Sequence, residues 1–121
     1  MTFERYHKSL LLGRLTDEPR RFIQVIYGPR QVGKTTLIRQ ILDDMSFPYH
    51  YATADYIPSD RNSWISLQWE ITRNRIQQER SKEGLLVLDE IQKLENWSEI
   101  IKKEWDSDTF NRIDLKVVLL G

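Results

Sequence analysis

A chain of 121 residues is long enough for one domain with a buried core and too short for two. Lys plus Arg and Asp plus Glu stand at 18 each, so the formal charges cancel and a basic surface spread over the whole chain is excluded as a polyanion-binding device. The lack of cysteine excludes disulfides and cysteine-ligated zinc, and no apolar run is long enough for a signal-peptide core or a membrane span, so a cytoplasmic protein with no membrane partner is expected.

Phe3, Tyr6 and Leu10 fall at helical spacing and predict a short helix over 2–12, followed by a connection through Gly13 and Pro19. FIQVIY (22–27) is short, apolar and β-branched, and Gly28-Pro29 stops it, which predicts a strand. From Lys34 to about residue 45, Leu37, Ile38, Ile41, Leu42 and Met45 make one apolar stripe of a helix. YHYAT (49–53) reads as a second strand and 54–62 as turns. Ile65, Trp69 and Ile76 share a face of a helix over 63–80, and Gly84 punctuates before LLVLD (85–89). That run is apolar without alternation, as in a strand covered on both faces of a parallel sheet. Asn96 with Glu99 three residues later has the pattern of a capping box, opening a helix with Trp97, Ile100, Ile101 and Trp105 on its apolar face. LKVVLLG (115–121) closes the chain with another strand, and the regular alternation predicts an α/β domain with a mostly parallel sheet flanked by helices.

The junction between the first strand and its helix carries the chemistry. Gly28-Pro29-Arg30-Gln31-Val32-Gly33-Lys34-Thr35 fits G-x-x-x-x-G-K-[ST], the phosphate-binding loop. Four fixed positions at ordinary residue frequencies coincide by chance in on the order of one such chain in a few hundred, and here the motif also has the required strand before it and helix after it. The first turn of a helix leaves N–H groups without intrahelical partners and carries partial positive charge. Glycine lets that backbone close around a phosphate, so amides from about Gly33 to Thr36 become donors. Lys34 adds a mobile cation toward the β and γ phosphates, and the Thr35 hydroxyl is a ligand for Mg²⁺, a hard cation that prefers oxygen. The whole segment 28–36, including the variable Pro29, Arg30, Gln31 and Val32, forms the predicted cofactor-binding set.

LLVLDE (85–90) supplies a second element. A carboxylate leaving the C-terminal end of a buried strand faces the crevice where open α/β sheets bind ligands, so Asp89 is the predicted partner of Thr35 in holding Mg²⁺ and Glu90 the predicted catalytic base for water, alongside Lys34. Alone, an apolar run ending in Asp-Glu is weak; it gains weight from the loop in the same chain. Other phosphate-loop chemistries fit less well. Asp89-Glu90-Ile91-Gln92 has glutamine where a GTPase places glycine, no N-K-x-D occurs, and G-x-G-x-x-G is absent. ATP hydrolysis leads.

YGPRQVGKTTLI, LDEIQKLENWSEIIKKEWD and LKVVLLG together resemble the bacterial and archaeal AAA-type ATPases in which a P-loop domain precedes a C-terminal domain. The similarity runs from about Phe22 to Gly121. It implies an α/β P-loop NTPase fold of the AAA (ASCE) type, with a five-stranded parallel sheet and the strand at 115–120 between those at 22–27 and 85–89. It also implies ATP with Mg²⁺ as ligands and the parent's C-terminal domain as a partner. In that family a polar residue sensing the γ-phosphate, a fifth strand and an arginine finger follow the strand equivalent to 115–120. The resemblance therefore implies an N-terminal part of a longer ATPase, with 1–21 as a leading helix and connection and 22–121 as the P-loop core.

Several residues carry a bland reading beside a functional one. Arg14, Arg20 and Arg21 fall where such ATPases often place adenine, yet loop arginines need no special role. Gln92 and Lys93 suit an exposed connection, the four tryptophans suit core, and Arg112, preceding a strand, is misplaced for an arginine finger. A nucleotide-dependent switch or scaffold for a protein or nucleic-acid partner is the alternative to an ATPase, and exposed strand edges would favour self-association.

Overall fold

A computed structural model of the chain describes residues 20, 22–26 and 34–121, without the side chains of Lys34 and Thr35. The expected helix at 2–12 and the loop at 27–33 lie outside the described residues. Elements follow in the order β1 (Gln24–Ile26), α1 (Lys34–Asp43), β2 (Tyr49–Thr53), α2 (Ser63–Gln78), β3 (Gly84–Asp89), a 3₁₀ turn (Ile91–Lys93), α3 (Trp97–Asn111) and β4 (Leu115–Leu120). Every strand pairing is parallel, in the order β1-β4-β3-β2, so β4 lies between β1 and β3 as the resemblance implies. Four strands are present among the described residues, not five.

Side chains alternate across a strand, and here the alternation sorts the core into two halves. Leu85 and Val87 of β3 with Val118 and Leu120 of β4 pack against Ile38, Ile41 and Leu42 of α1. Leu86 and Leu88 with Leu115, Val117 and Leu119 face the other way, against Ile65 and Trp69 of α2 and Ile101 of α3. A sheet covered on both faces explains why its two central strands read as unbroken apolar runs. All four tryptophans belong to the second half: Trp69 is fully buried, and Trp64, Trp97 and Trp105 pack partly buried against it.

Three local expectations need correction. The first strand is Gln24–Ile26 rather than 22–27: Phe22 is 75% exposed and forms no rung, and Tyr27 lies outside the described residues. The capping box does not form. Asn96 sits at φ 57°, ψ 25° and makes no side-chain cap bond, its carbonyl accepting the first helical bond from Ile100 N at 3.2 Å. A capping side chain needs extended backbone at that position, whereas the chain enters α3 through a left-handed residue, which asparagine tolerates. Nor is Arg20 a free surface charge. Its guanidinium stacks on Trp105 at 3.5 Å and donates to the carbonyls of Leu115 (2.8 Å) and Trp105 (2.8 Å) and to Thr109 Oγ1 (2.7 Å), clamping the segment before β1 to the start of β4.

Gly84, read as punctuation, opens β3 tight against a side chain of α2: a Cβ there would stand 2.5 Å from Ile76 Cγ1. Both long helices end alike. Ser81 N bonds Ile76 O (3.0 Å) and Arg80 N bonds Gln77 O (3.1 Å), and Ile113 N to Asp108 O (2.9 Å) with Arg112 N to Thr109 O (3.3 Å) repeats the pattern. In such a closure the residue past the helix is left-handed, and arginine occupies it twice, at φ 52° for Arg80 and 57° for Arg112. Replacing Arg80 by glycine removes the Cβ strain of that conformation and is expected to stabilise the fold by about 1 kcal/mol, read as a rise in the denaturation midpoint. Arg112 is accounted for as a helix terminator.

Candidate functional site

Parallel strands bring the C-terminal ends of β1, β4, β3 and β2 to one edge of the sheet, at Ile26, Leu120, Asp89 and Thr53. Backbone bonds extend the ladder past each: Gly121 N to Ile26 O (3.1 Å), Glu90 N to Leu120 O (2.9 Å) and Ala54 N to Asp89 O (2.9 Å). The segment 27–33 runs from this edge at Ile26 to the first residue of α1, Lys34. Gly28, Pro29, Arg30, Gln31, Val32 and Gly33 lie outside the described residues, as do the side chains of Lys34 and Thr35. Thr36 is exposed on the first turn of α1.

Asp89 continues the alternation of Leu85 and Val87 and so belongs to the α1 side of the sheet. One carboxylate oxygen, Oδ2, accepts a hydrogen bond from the Tyr51 hydroxyl at 2.6 Å. Burial first, then the bond to Asp89, pushes the Tyr51 pKa well above the ordinary phenol range, so the hydroxyl stays a donor. Glu90, next along, leaves the strand at φ 58°, ψ 31°, a left-handed conformation that costs a non-glycine residue about 1 kcal/mol or more. It is 8% exposed, and its Oε2 accepts a bond from Gln92 Nε2 at 2.7 Å. The two adjacent carboxylates therefore part: Asp89 stays on the face of α1, while the backbone turns at Glu90 and Ile91 drops into the core against α2 and α3.

The 54–62 loop braces this turn from the β2 side. Lys93 forms an ion pair with Asp55, and Glu95 N donates to Ser59 O at 2.8 Å. Gln92 and Lys93, expected as plain exposed connection, are thus both engaged, one with Glu90 and the other with the loop. In the sequence Tyr51 is legible only as a strand residue. Its signal is faint in the sequence, because only the pairing register of β2 on β3 (Tyr51 opposite Val87, Thr53 opposite Asp89) brings it beside the carboxylate.

In this parallel sheet β4 is inserted between β1 and β3, Asp89 ends β3 and Glu90 follows it. A family model described as an AAA domain matches residues 20–121. The chain belongs to that family. The AAA domain is also similar in fold to the RuvB Holliday junction branch migration motor of Thermotoga maritima, with a TM-score of 0.62 at 17% identity. The match covers 99% of this chain and 38% of that one, so the AAA domain described here spans well under half of the neighbour's length. A comparison with curated proteins finds no match.

The AAA domain's donor set can be tested for magnesium. Among the described residues no three His, Cys, Asp or Glu side chains converge to cage a metal. What this edge offers is the Asp89 carboxylate, partly exposed, with Oδ2 taken by Tyr51. Such a sparse oxygen set suits a cation that keeps its waters and takes further oxygens from phosphates, which is how Mg²⁺ binds. The arginines considered for adenine divide: Arg20 is held at the opposite end of the sheet, beside the N-terminal residue of β4, and Arg14 and Arg21 lie outside the described residues. His50 is taken up by Gln68, with Nε2 and Oε1 2.7 Å apart. No helix among the described residues is long and apolar enough to cross a membrane.

Proposed function

We propose that this AAA domain binds ATP with Mg²⁺ at the C-terminal edge of its sheet and hydrolyses it, with residues 22–121 as the P-loop core. The observation that carries this reading is the placement of Asp89 and Glu90 at the end of central strand β3, with Asp89 on the face of α1, whose first residue is the lysine of the G-x-x-x-x-G-K-T segment. Within the cofactor-binding segment 28–36, backbone amides from about Gly33 to Thr36 hold the phosphates, and Lys34 neutralises the β and γ oxygens. Thr35 and Asp89 are the oxygen donors for Mg²⁺, which supplies further charge neutralisation on the phosphates when bound. Glu90 orients the attacking water and accepts its proton. The inserted fourth strand and the family supply the topological support, and the paired carboxylates supply the chemical one.

The Gln92–Glu90 hydrogen bond favours slow turnover as a second feature of this reading. Gln92 occupies one oxygen of the Glu90 carboxylate and must release or share it before that oxygen reaches water, so nucleotide binding and hydrolysis are separable events, as a nucleotide-dependent switch for a protein or nucleic-acid partner requires. Phe22 and Val25, 75% and 45% exposed beside outer strand β1, are the surface on which association of copies or docking of the parent's C-terminal domain would fall.

Lys34→Ala tests the nucleotide site directly. Loss of a charge-assisted contact to phosphate is expected to raise the dissociation constant for ATP by about 100-fold or more, measured with a fluorescent analogue on the full-length protein. An affinity equal to that of the unmodified protein would overturn the reading.

A further inference from the structure

We propose that Tyr51 is a positioning residue for Asp89, fixing through its hydroxyl which carboxylate oxygen is presented to the divalent cation that accompanies the nucleotide. The proposal rests on the assignment of Asp89 in the preceding section. It follows from where the two side chains meet. Tyr51 stands on β2 opposite Val87, two residue pairs before the Thr53–Asp89 position, on the face shared with α1. Its ring packs on the cluster of Ile38, Ile41, Leu42 and Val87, so the hydroxyl is carried by a side chain with little freedom to turn. That hydroxyl meets Asp89 Oδ2 at 2.6 Å.

A terminal carboxylate torsion is broad and nearly two-fold, so an unrestrained aspartate offers either oxygen, or both, to a cation. With Oδ2 held by the phenol, Oδ1 is the oxygen left to face outward, and the group is suited to binding through one oxygen or through a single water. That is the mode magnesium favours, keeping several waters and accepting one or two carboxylates, whereas calcium readily takes both oxygens of one carboxylate. Partners that orient a metal-binding group commonly change metal affinity by about 10–100-fold when removed. The same tyrosine packs against α1, the helix that begins with Lys34 and Thr35, and so ties the acidic end of β3 to the helix that carries the loop's other functional residues.

The test is the dependence of nucleotide affinity on metal, read as binding rather than turnover. Fluorescent ATP analogue is titrated into the full-length protein at a series of Mg²⁺ concentrations, and then of Ca²⁺. Tyr51→Phe keeps the ring and its packing and removes only the donor. It is expected to raise the half-saturating Mg²⁺ concentration about 10-fold, to leave nucleotide affinity without metal unchanged, and to narrow the preference for Mg²⁺ over Ca²⁺. Asp89→Asn is expected to lose most of the metal dependence, with Tyr51→Phe adding nothing further in that background. An unchanged Mg²⁺ response in Tyr51→Phe, while Asp89→Asn loses its response, overturns the role of Tyr51 and leaves Asp89 in place. An unchanged response in both variants overturns the assignment of Asp89 and the proposal with it.

Discussion

Glu90→Gln in the full-length protein is expected to retain nucleotide binding within a few-fold and to lose ATP hydrolysis by about 10²–10⁴-fold, the usual contribution of a positioned general base. The substitution is near-isosteric, and the local structure is built to accept it. Glu90 is held through its backbone, with its N–H on Leu120 O at 2.9 Å, a bond indifferent to the side chain. Gln92 Nε2 donates to Glu90 Oε2 at 2.7 Å, and a carboxamide oxygen accepts that bond as well. What glutamine cannot do is take a proton from water at neutral pH. Binding and turnover should therefore separate, by about 3–5 kcal/mol in the barrier with little change in the dissociation constant. Retained hydrolysis would remove Glu90 from the role of base. A parallel loss of binding would instead mean that the buried charge organises the phosphate loop, a different function for the same residue.

The fold was legible where one signal dominated. LLVLD and LKVVLL are apolar on both sides because β3 and β4 have helices on both faces, and no alternative period competes with that reading. YHYAT gave its boundaries correctly because Pro48 precedes it and polar turns follow. The expected strand starts too early: Phe22 has the residue type of a strand, yet among the described residues only Gln24–Ile26 find partners on β4. Asn96 misled for a related reason, since the same letters serve an extended cap or a left-handed turn and the path of the chain decides between them. Of the candidate site, the G-x-x-x-x-G-K-T segment and the acidic pair stand out in the sequence as local motifs. Tyr51 and Gln92 do not, because each acquires its meaning from a geometry that no single segment contains: a cross-strand register in one case and a left-handed backbone at Glu90 in the other. Lys116 was hidden inside an apolar run; it is buried in β4, with Glu83 3.5 Å away and the Phe47 ring 5.6 Å away.

Asp108→Ala is expected to destabilise the domain by about 3–5 kcal/mol, the cost of breaking a buried ion pair from one side. Periodicity places residue 108 on a helix otherwise rich in surface charge, and nothing local marks it as core. Yet it is fully buried, and both carboxylate oxygens are used: Oδ2 accepts from Trp69 Nε1 at 2.6 Å and Oδ1 from Arg73 Nε at 2.8 Å. Arg73 in turn reaches Glu104 Oε1 (3.1 Å) and Glu70 Oε1 (2.7 Å), so one carboxylate joins α3 to two side chains of α2. Alanine would leave the indole N–H of a fully buried tryptophan without an acceptor and a largely buried guanidinium short of one counter-charge. Against a total stability of about 5–15 kcal/mol, that loss should be plain as a fall in the urea midpoint. Asp108→Asn keeps one acceptor and should cost less. Trp69→Phe in the Asp108→Ala background removes the orphaned donor and should cost less than Trp69→Phe does alone, a coupling that independent sites would not show. A loss of under about 1 kcal/mol for Asp108→Ala would place the cluster in water rather than in the interior.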